Sequence, residues 1–249
     1  MLGIAPGMGI ETHMYTDVTL DNPVAVVGFP SVGLVSSIAA NFITSQLKMP
    51  AIAGMNGNGI PPYCLIADGT AYPPIRFYGM KSRTKTGRDI IVCTSEFAPK
   101  PEDCYDIGLA VLDVLRDLGC RQVICLEGVP RIGENDRVVV CGSGTISEKM
   151  EEASGLPRMD NGMVKGTSGV ILCESRPRGM VATALMCPAN PSIPDPGSAV
   201  EFIEPLSKMI KGLKINSKPL MAEAEEIRKK LEADQASVER EQTQNTLYG

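Results

Sequence analysis

Apolar runs of strand length alternate with stretches of helical periodicity along most of this 249-residue chain, and that alternation predicts an α/β fold. Three observations carry the prediction. Pro23-Val24-Ala25-Val26-Val27-Gly28-Phe29 is a continuous apolar run, followed by a turn at Pro30-Ser31-Val32-Gly33 and then by Leu34, Val35, Ile38, Phe42, Ile43 and Leu47 at helical spacing. A helix-then-strand unit recurs at 104–118 and 121–127. A third strand at 180–186 leads to a strong helix start at Asp195-Pro196. Continuous apolar runs, as opposed to alternating ones, mark strands covered on both faces. The expected core is therefore doubly wound and Rossmann-like, with an inserted β-meander and an appended C-terminal helix.

The elements follow in order. The run 23–29, the helix that ends near Leu47 and a second strand at Ala51-Ile52-Ala53-Gly54-Met55 make a first β-turn-α-β unit. Residues 57–95 then hold three short β-like runs at 61–66, 73–78 and 88–93, separated by Gly and Pro, which read as a meander inserted after that unit. Ile107, Ala110, Val111, Val114, Leu115 and Leu118 form the apolar face of the next helix, and Gly119 is placed to end it. Arg121 to Glu127 is the following strand. Beyond it, Gly-rich sequence predicts a strand at 138–141, a short helix at 146–152 and a small helix near 168–175, before the strand at 180–186. Asp195 as N-cap and Pro196 at the first helical position open a helix that carries Val200, Ile203, Leu206, Met209, Ile210 and Leu213.

Asn216-Ser217-Lys218-Pro219 reads as a linker, which divides the chain into an α/β domain at 1–214 and a C-terminal helix with a flexible tail at 215–249. In that helix Leu220, Ala224, Ile227, Leu231 and Val238 form an apolar seam interrupted at Asp234. The pairs Glu225/Lys229 and Glu226/Lys230 support an exposed helix, and about twenty residues would reach roughly 30 Å. The seam closes either on the chain's own core or on a neighbouring copy. Together with the Pro/Tyr-rich meander it is more apolar surface than a monomer normally exposes, so a homo-oligomer is expected.

Composition excludes several function classes. The net charge is −5 with both signs interspersed, Trp is absent and aromatics make up 4%. A general nucleic-acid binder would carry a basic patch or stacking aromatics, and none is expected here. No stretch reaches the eighteen or so apolar residues of a membrane span. The opening residues, Met1 to Pro6, lack the pattern of a signal peptide, so a cytoplasmic location is expected. One histidine, His13, leaves no material for a multi-His metal site or a His-based triad. The eight cysteines have no CxxC pair and mostly sit in apolar runs, as buried free thiols do. No metal and no cofactor is expected.

Four residues sit where an α/β cleft would lie. Gly28 and Gly33 bracket the turn after the first strand, where a helix N-terminus can hold a phosphate, although no P-loop Gly-Lys-Ser/Thr follows. A tight turn with close helix packing is the alternative. Glu96 and Glu127 each follow or end a strand, where a carboxylate pair for acid–base work would be placed. No nucleophile–base constellation accompanies them, so loop or interface roles compete with the chemical one.

Three motifs occur in a fixed order: Gly28-Phe29-Pro30-Ser31-Val32-Gly33-Leu34 after a strand, Gly166-Thr167-Ser168-Gly169-Val170-Ile171-Leu172, and Ile193-Pro194-Asp195-Pro196-Gly197-Ser198-Ala199 before the last core helix. Over roughly residues 18–240 this pattern resembles the archaeal proteasome assembly chaperone family. The resemblance implies a three-layer, nucleoside-phosphorylase-like fold without that chemistry, homo-oligomers, and a non-enzymatic role toward the proteasome core particle. The chain ends Leu247-Tyr248-Gly249. This matches position by position the hydrophobic-Tyr-X terminus by which such proteins are thought to dock into pockets of the core-particle α-ring. The competing class is a nucleoside-phosphorylase-like or hydrolase-like enzyme that uses the α/β cleft, and a scaffold for another partner is a third.

Overall fold

The computed structural model describes residues 9–131, 137–144, 147–222 and 224–226. Among these, eight strands form one mixed sheet. In chain order its strands are β1 (Ile10–Met14), β2 (Val24–Gly28) and β3 (Ala51–Gly57), then β6 (Ile75–Met80), β7 (Ile90–Ser95), β8 (Gln122–Pro130), β9 (Val139–Gly142) and β10 (Val181–Ala189). A separate hairpin, β4 (Leu65–Ala67) with β5 (Thr70–Tyr72), stands outside it. The spatial order is β1-β3-β6-β7-β2-β8-β10-β9. β7, β2, β8 and β10 are parallel to their neighbours in that set, while β1, β3 and β6 on one flank and β9 on the other pair antiparallel. Every residue of β2 and of β7 is buried.

Helices cover both faces, because the central strands are apolar on both sides. On one face Ala25, Val27, Cys93, Val123 and Cys125 pack with Ile107, Val111 and Leu115 of α2 (Cys104–Asp117) and with Ile171 of α4 (Gly166–Glu174). On the other, Val24, Val26, Val92, Ile124 and Leu126 meet Ala39, Ala40 and Ile43 of α1 (Val35–Leu47). Met150 of α3 (Glu148–Ser154), Ala199 of α5 (Pro196–Val200) and Leu206 of α6 (Ile203–Met209) complete that layer. The expected α/β class and most of the expected elements are present, with the sheet mixed where a doubly wound sheet would be mainly parallel.

The structure departs from the sequence expectations in three places. Residues 88–93, read as the end of a meander, belong to β7, a central parallel strand, and 73–78 belongs mostly to β6 of the same sheet. Only the β4–β5 hairpin is an excursion. β1 was not foreseen: its alternating pattern, with Ile10 buried and Glu11 and His13 exposed, is that of an edge strand with one wet face. The single helix expected from Pro196 to Leu213 divides into α5 and α6. Pro205 has no N–H to donate to the Glu201 carbonyl, so the ladder is interrupted at Glu201–Phe202 and Pro205 falls in the first turn of α6, where no such donor is needed. Cys64 and Cys173 are exposed, whereas Cys93, Cys104, Cys120, Cys125 and Cys187 are buried free thiols.

Beyond residue 214 helical structure resumes at Lys218, inside the segment read as a linker. Leu220 is 1% exposed and packs in the same cluster as Leu213, so it is spent on the chain's own core. Ala224 is half-buried. Ile227, Leu231 and Val238 of the seam, and the terminal Leu247, Tyr248 and Gly249, lie outside the described residues.

Candidate functional site

The turn after β2 is built from its own close contacts. Gly33 (φ 63°) and Leu34 (φ 54°) are consecutive left-handed residues, and Leu34 holds the N-cap position of α1 without a side-chain cap. A Cβ on Gly28 would lie 2.5 Å from both the Ala40 Cβ and the Ser36 carbonyl oxygen, so α1 packs directly on the strand end. Ser31 Oγ accepts the Gly128 N–H at 2.8 Å and shares a hydrogen bond with Ser36 Oγ. Gly128 in turn is pressed against the Val32 carbonyl. The Ser31 hydroxyl is thus engaged by the protein's own β8 and α1, and the close contacts at Gly28 and Gly33 favour tight packing as their role.

The same turn is stapled to the Pro-Asp-Pro loop. The Asp195 N–H donates to the Gly33 carbonyl at 2.8 Å. The Asp195 carboxylate accepts from Ser198 N (2.9 Å), Ser198 Oγ (2.8 Å) and Asn190 N (3.1 Å). Burial acts to raise the Asp195 pKa, but the hydrogen bonds from Ser198 and Asn190 outweigh it and hold the carboxyl below its ordinary value. This loop, Arg131 and residues Met221, Ala224 and Glu225 line a cavity of about 410 Å³.

Glu96 and Glu127 are not brought together. Glu96 pairs with the Arg76 guanidinium, which also donates through Nε to the Tyr78 hydroxyl at 2.9 Å and through Nη1 to the Pro73 carbonyl at 3.3 Å. Arg76 lies between Ile75 and Phe77, which face the α2/α4 layer, so it points to the opposite face. Burial works against its charge, and Tyr78 and Glu96 more than offset that, leaving its pKa raised. Glu127 follows Leu126 in β8 and points to the α2/α4 face, where its Oε2 accepts Ser168 Oγ at 2.8 Å in the first turn of α4. Burial raises the Glu127 pKa to about 7, against the lowering effect of Ser168.

The neighbouring thiols offer no nucleophile at neutral pH. Burial pushes Cys93 and Cys125 far up, and Cys187 to about 12. Among the described residues no group of three or more His, Cys, Asp or Glu is arranged to hold a metal ion. No described helix is long and apolar enough to cross a membrane. The roles of Arg76, Ser168 and Asp195 were not anticipated from the sequence. The signal for Arg76 was present: an arginine inside the run Pro73-Pro74-Ile75-Arg76-Phe77-Tyr78 needs a carboxylate once the strand is buried.

The turn at 28–34, the α4 start and the Pro-Asp-Pro loop therefore lie in one connected frame. A family model, the PAC2 family, matches residues 25–235, a span that includes all three. The chain belongs to the PAC2 family. The Methanocaldococcus jannaschii protein MJ0106 is 27% identical over 215 residues, 86% of this chain and 86% of that protein. The crystal structure of Pyrococcus furiosus PbaA, described as an archaeal homolog of proteasome-assembly chaperone, superposes with a TM-score of 0.76 at 29% identity, covering 89% of this chain and 94% of PbaA. Pyrococcus furiosus PbaB, described as an archaeal proteasome activator, gives a TM-score of 0.80 at 22% identity, covering 92% of this chain and 100% of PbaB. At that identity the second likeness is one of fold.

Proposed function

We propose that this PAC2-family chain is a non-enzymatic, homo-oligomeric assembly chaperone or ATP-independent activator of the proteasome. It acts in the cytoplasm without a cofactor and docks Leu247-Tyr248-Gly249 into α-ring pockets of the core particle. The observation that carries the reading is the 29% identity to PbaA across nearly the whole of both chains, taken with the apolar-Tyr-X order of Leu247-Tyr248-Gly249. An aromatic anchor with a polar tip and a terminal charge suits a shallow pocket with a lysine at its mouth. One tripeptide binds weakly, and several linked copies raise the effective concentration.

One observation favours an enzyme instead: a half-buried carboxyl, Glu127, titrating near neutrality. Its partner is a serine hydroxyl, the adjacent Cys125 thiol is pushed up by burial, and Glu96 is neutralised by Arg76 on the other face. A structural carboxyl accounts for these contacts more simply than an acid–base pair.

The deciding experiment is a pull-down of purified core particle by the intact chain, by the chain lacking its last three residues, and by Tyr248→Ala. Capture is expected from the intact chain alone, with Tyr248→Ala weakening each site by about 2 kcal/mol. Equal capture by all three proteins would overturn the docking.

A further inference from the structure

We propose that a basic pole at the N-terminal ends of the parallel strands is a docking site for an acidic segment of a partner protein. The segment seats one apolar side chain in a cavity and lays its carboxylates on the cationic rim. The inference goes beyond the proposed function and does not rest on the docking of Leu247-Tyr248-Gly249. The pole lies at the opposite end of β2 from the turn at 28–34.

Two loops build it. The β6–β7 connection reads Lys81-Ser82-Arg83-Thr84-Lys85-Thr86-Gly87-Arg88, and the segment after α6 supplies Lys211 and Lys214. The Arg88 N–H donates to the Lys211 carbonyl at 2.9 Å. A Cβ on Gly212 (φ 87°) would lie 2.8 Å from both the Gly87 Cα and Thr84 Oγ1, so the two loops are packed together. Arg83 Nη2 donates to the Leu47 carbonyl at 3.1 Å, which joins the end of α1 to the same surface. Arg88 donates through Nε and Nη2 to the Asn22 carbonyl, at 3.0 and 2.6 Å, and through Nη1 to Gln122 Oε1 at 3.1 Å. Those bonds fix it beside the starts of β2 and β8.

The partners of Arg83 and Arg88 are neutral, so they hold both guanidiniums in place without cancelling their charge. Lys81, Lys85, Lys211 and Lys214 are exposed. Among the described residues none of these six cations forms an ion pair with a carboxylate. Asp89, next to Arg88, is 8% exposed and turns its carboxylate to the Ser82 and Asp21 N–H groups. Even with the exposed Asp21 beside it, the pole is positive on a chain of net charge −5. An acidic partner is repelled on average by the rest of the surface and steered to this end.

Shape and lining decide which kind of anion fits. The loops enclose a cavity of about 250 Å³. Its apolar lining is Leu47, Met80, Ile90, Ile210 and Leu213, while Arg83, Arg88 and Lys214 bring charge to it. A nucleic-acid backbone or a free oxyanion has no apolar group to place there. A peptide with carboxylates around one large apolar side chain matches both parts: the side chain gains by burial, and the guanidinium and ammonium groups donate to the carboxylates.

The test uses the full chain and a short fluorescein-labelled peptide of glutamates with one central phenylalanine, read by fluorescence anisotropy. The same peptide with serine for phenylalanine, an oligothymidylate of equal charge and inorganic tripolyphosphate are the comparison probes. Lys85→Glu/Lys214→Glu reverses two exposed, unpaired charges, so its thermal midpoint should match the parent's. The parent is expected to bind the phenylalanine peptide, less tightly as salt rises. The double variant and the serine peptide should each weaken binding roughly tenfold or more. No binding by the parent, or equal binding by parent and double variant, overturns the site. If the serine peptide, oligothymidylate or tripolyphosphate binds as tightly as the phenylalanine peptide, the pole reads charge alone and the protein-segment assignment is overturned.

Discussion

The Asp195 N–H donates to the Gly33 carbonyl at 2.8 Å, tying together two loops that lie 162 residues apart in the chain. The contact requires Gly33 to hold its left-handed conformation, and a Cβ there would come within 2.9 Å of the Ala189 side chain. Asp195 completes the joint by capping α5 and holding Asn190. The start of α1, the end of β10 and the start of α5 are therefore set by one residue.

Asp195→Ala is expected to destabilise the protein by about 1–2 kcal/mol through loss of the cap, lowering Tm by roughly 2–8 °C. Because the folded carboxyl has a depressed pKa, its contribution is present above the unfolded value and is lost as pH falls through the folded value. The gap between parent and variant should therefore close in acid. Thermal melts at neutral and acidic pH measure both effects.

Gly28→Ala is expected to cost about 2–3 kcal/mol, since a methyl group must displace either Ala40 or the α1 backbone at Ser36. Gly69→Ala at the hairpin tip, where nothing lies within 4 Å, is strained only by its φ of 74° and should cost about 1 kcal/mol. Urea denaturation of the two variants distinguishes packing from backbone strain.

Glu96→Ala leaves the 6%-exposed Arg76 without its carboxylate and is expected to destabilise by about 3 kcal/mol. The double variant Arg76→Met/Glu96→Leu should recover most of that loss, because no charge is then left buried and unpaired. Recovery seen in urea midpoints would show that the pair compensates a buried cation; additive losses would point to packing around the side chains instead.

Glu127→Gln should flatten part of the pH dependence of stability. A carboxyl titrating near 7 when folded and near 4.5 when unfolded contributes most below the unfolded pKa, and the contribution is lost as pH rises through about 7. The parent should lose about 1–2 kcal/mol relative to the variant between pH 5 and pH 8, after allowance for partial solvation. Ser168 can still donate to the amide oxygen, so the contact itself survives. Paired denaturation curves at the two pH values give the difference directly.

Local patterning carried much of the fold. The helical spacing in 34–47 and 104–118, the buried runs at 24–28 and 122–126, and the Asp195-Pro196 helix start all appear where their residues place them. Position in the sheet was not local. Ile90-Ile91-Val92-Cys93 reads as a buried strand anywhere, and only its parallel register with Val24 to Val27 shows that it is central. The candidate cleft residues were legible as residue types, but their partners were not. Glu96 reaches Arg76 across twenty residues and Glu127 reaches Ser168 across forty-one, and no short-range pattern predicts such distances.

By itself the sequence determined the α/β class, the approximate bounds of most elements and the free thiols, because each rests on periodicity, residue type or spacing within a few turns. The tertiary structure decided the strand order, the placement of Glu96 and Glu127 on opposite faces, the burial of Leu220 in its own core, and the isolation of the β4–β5 hairpin. Those are set by which surfaces meet once the chain has folded. Side-chain direction alternates along a strand, so a neighbour in sequence and a neighbour in space are different residues.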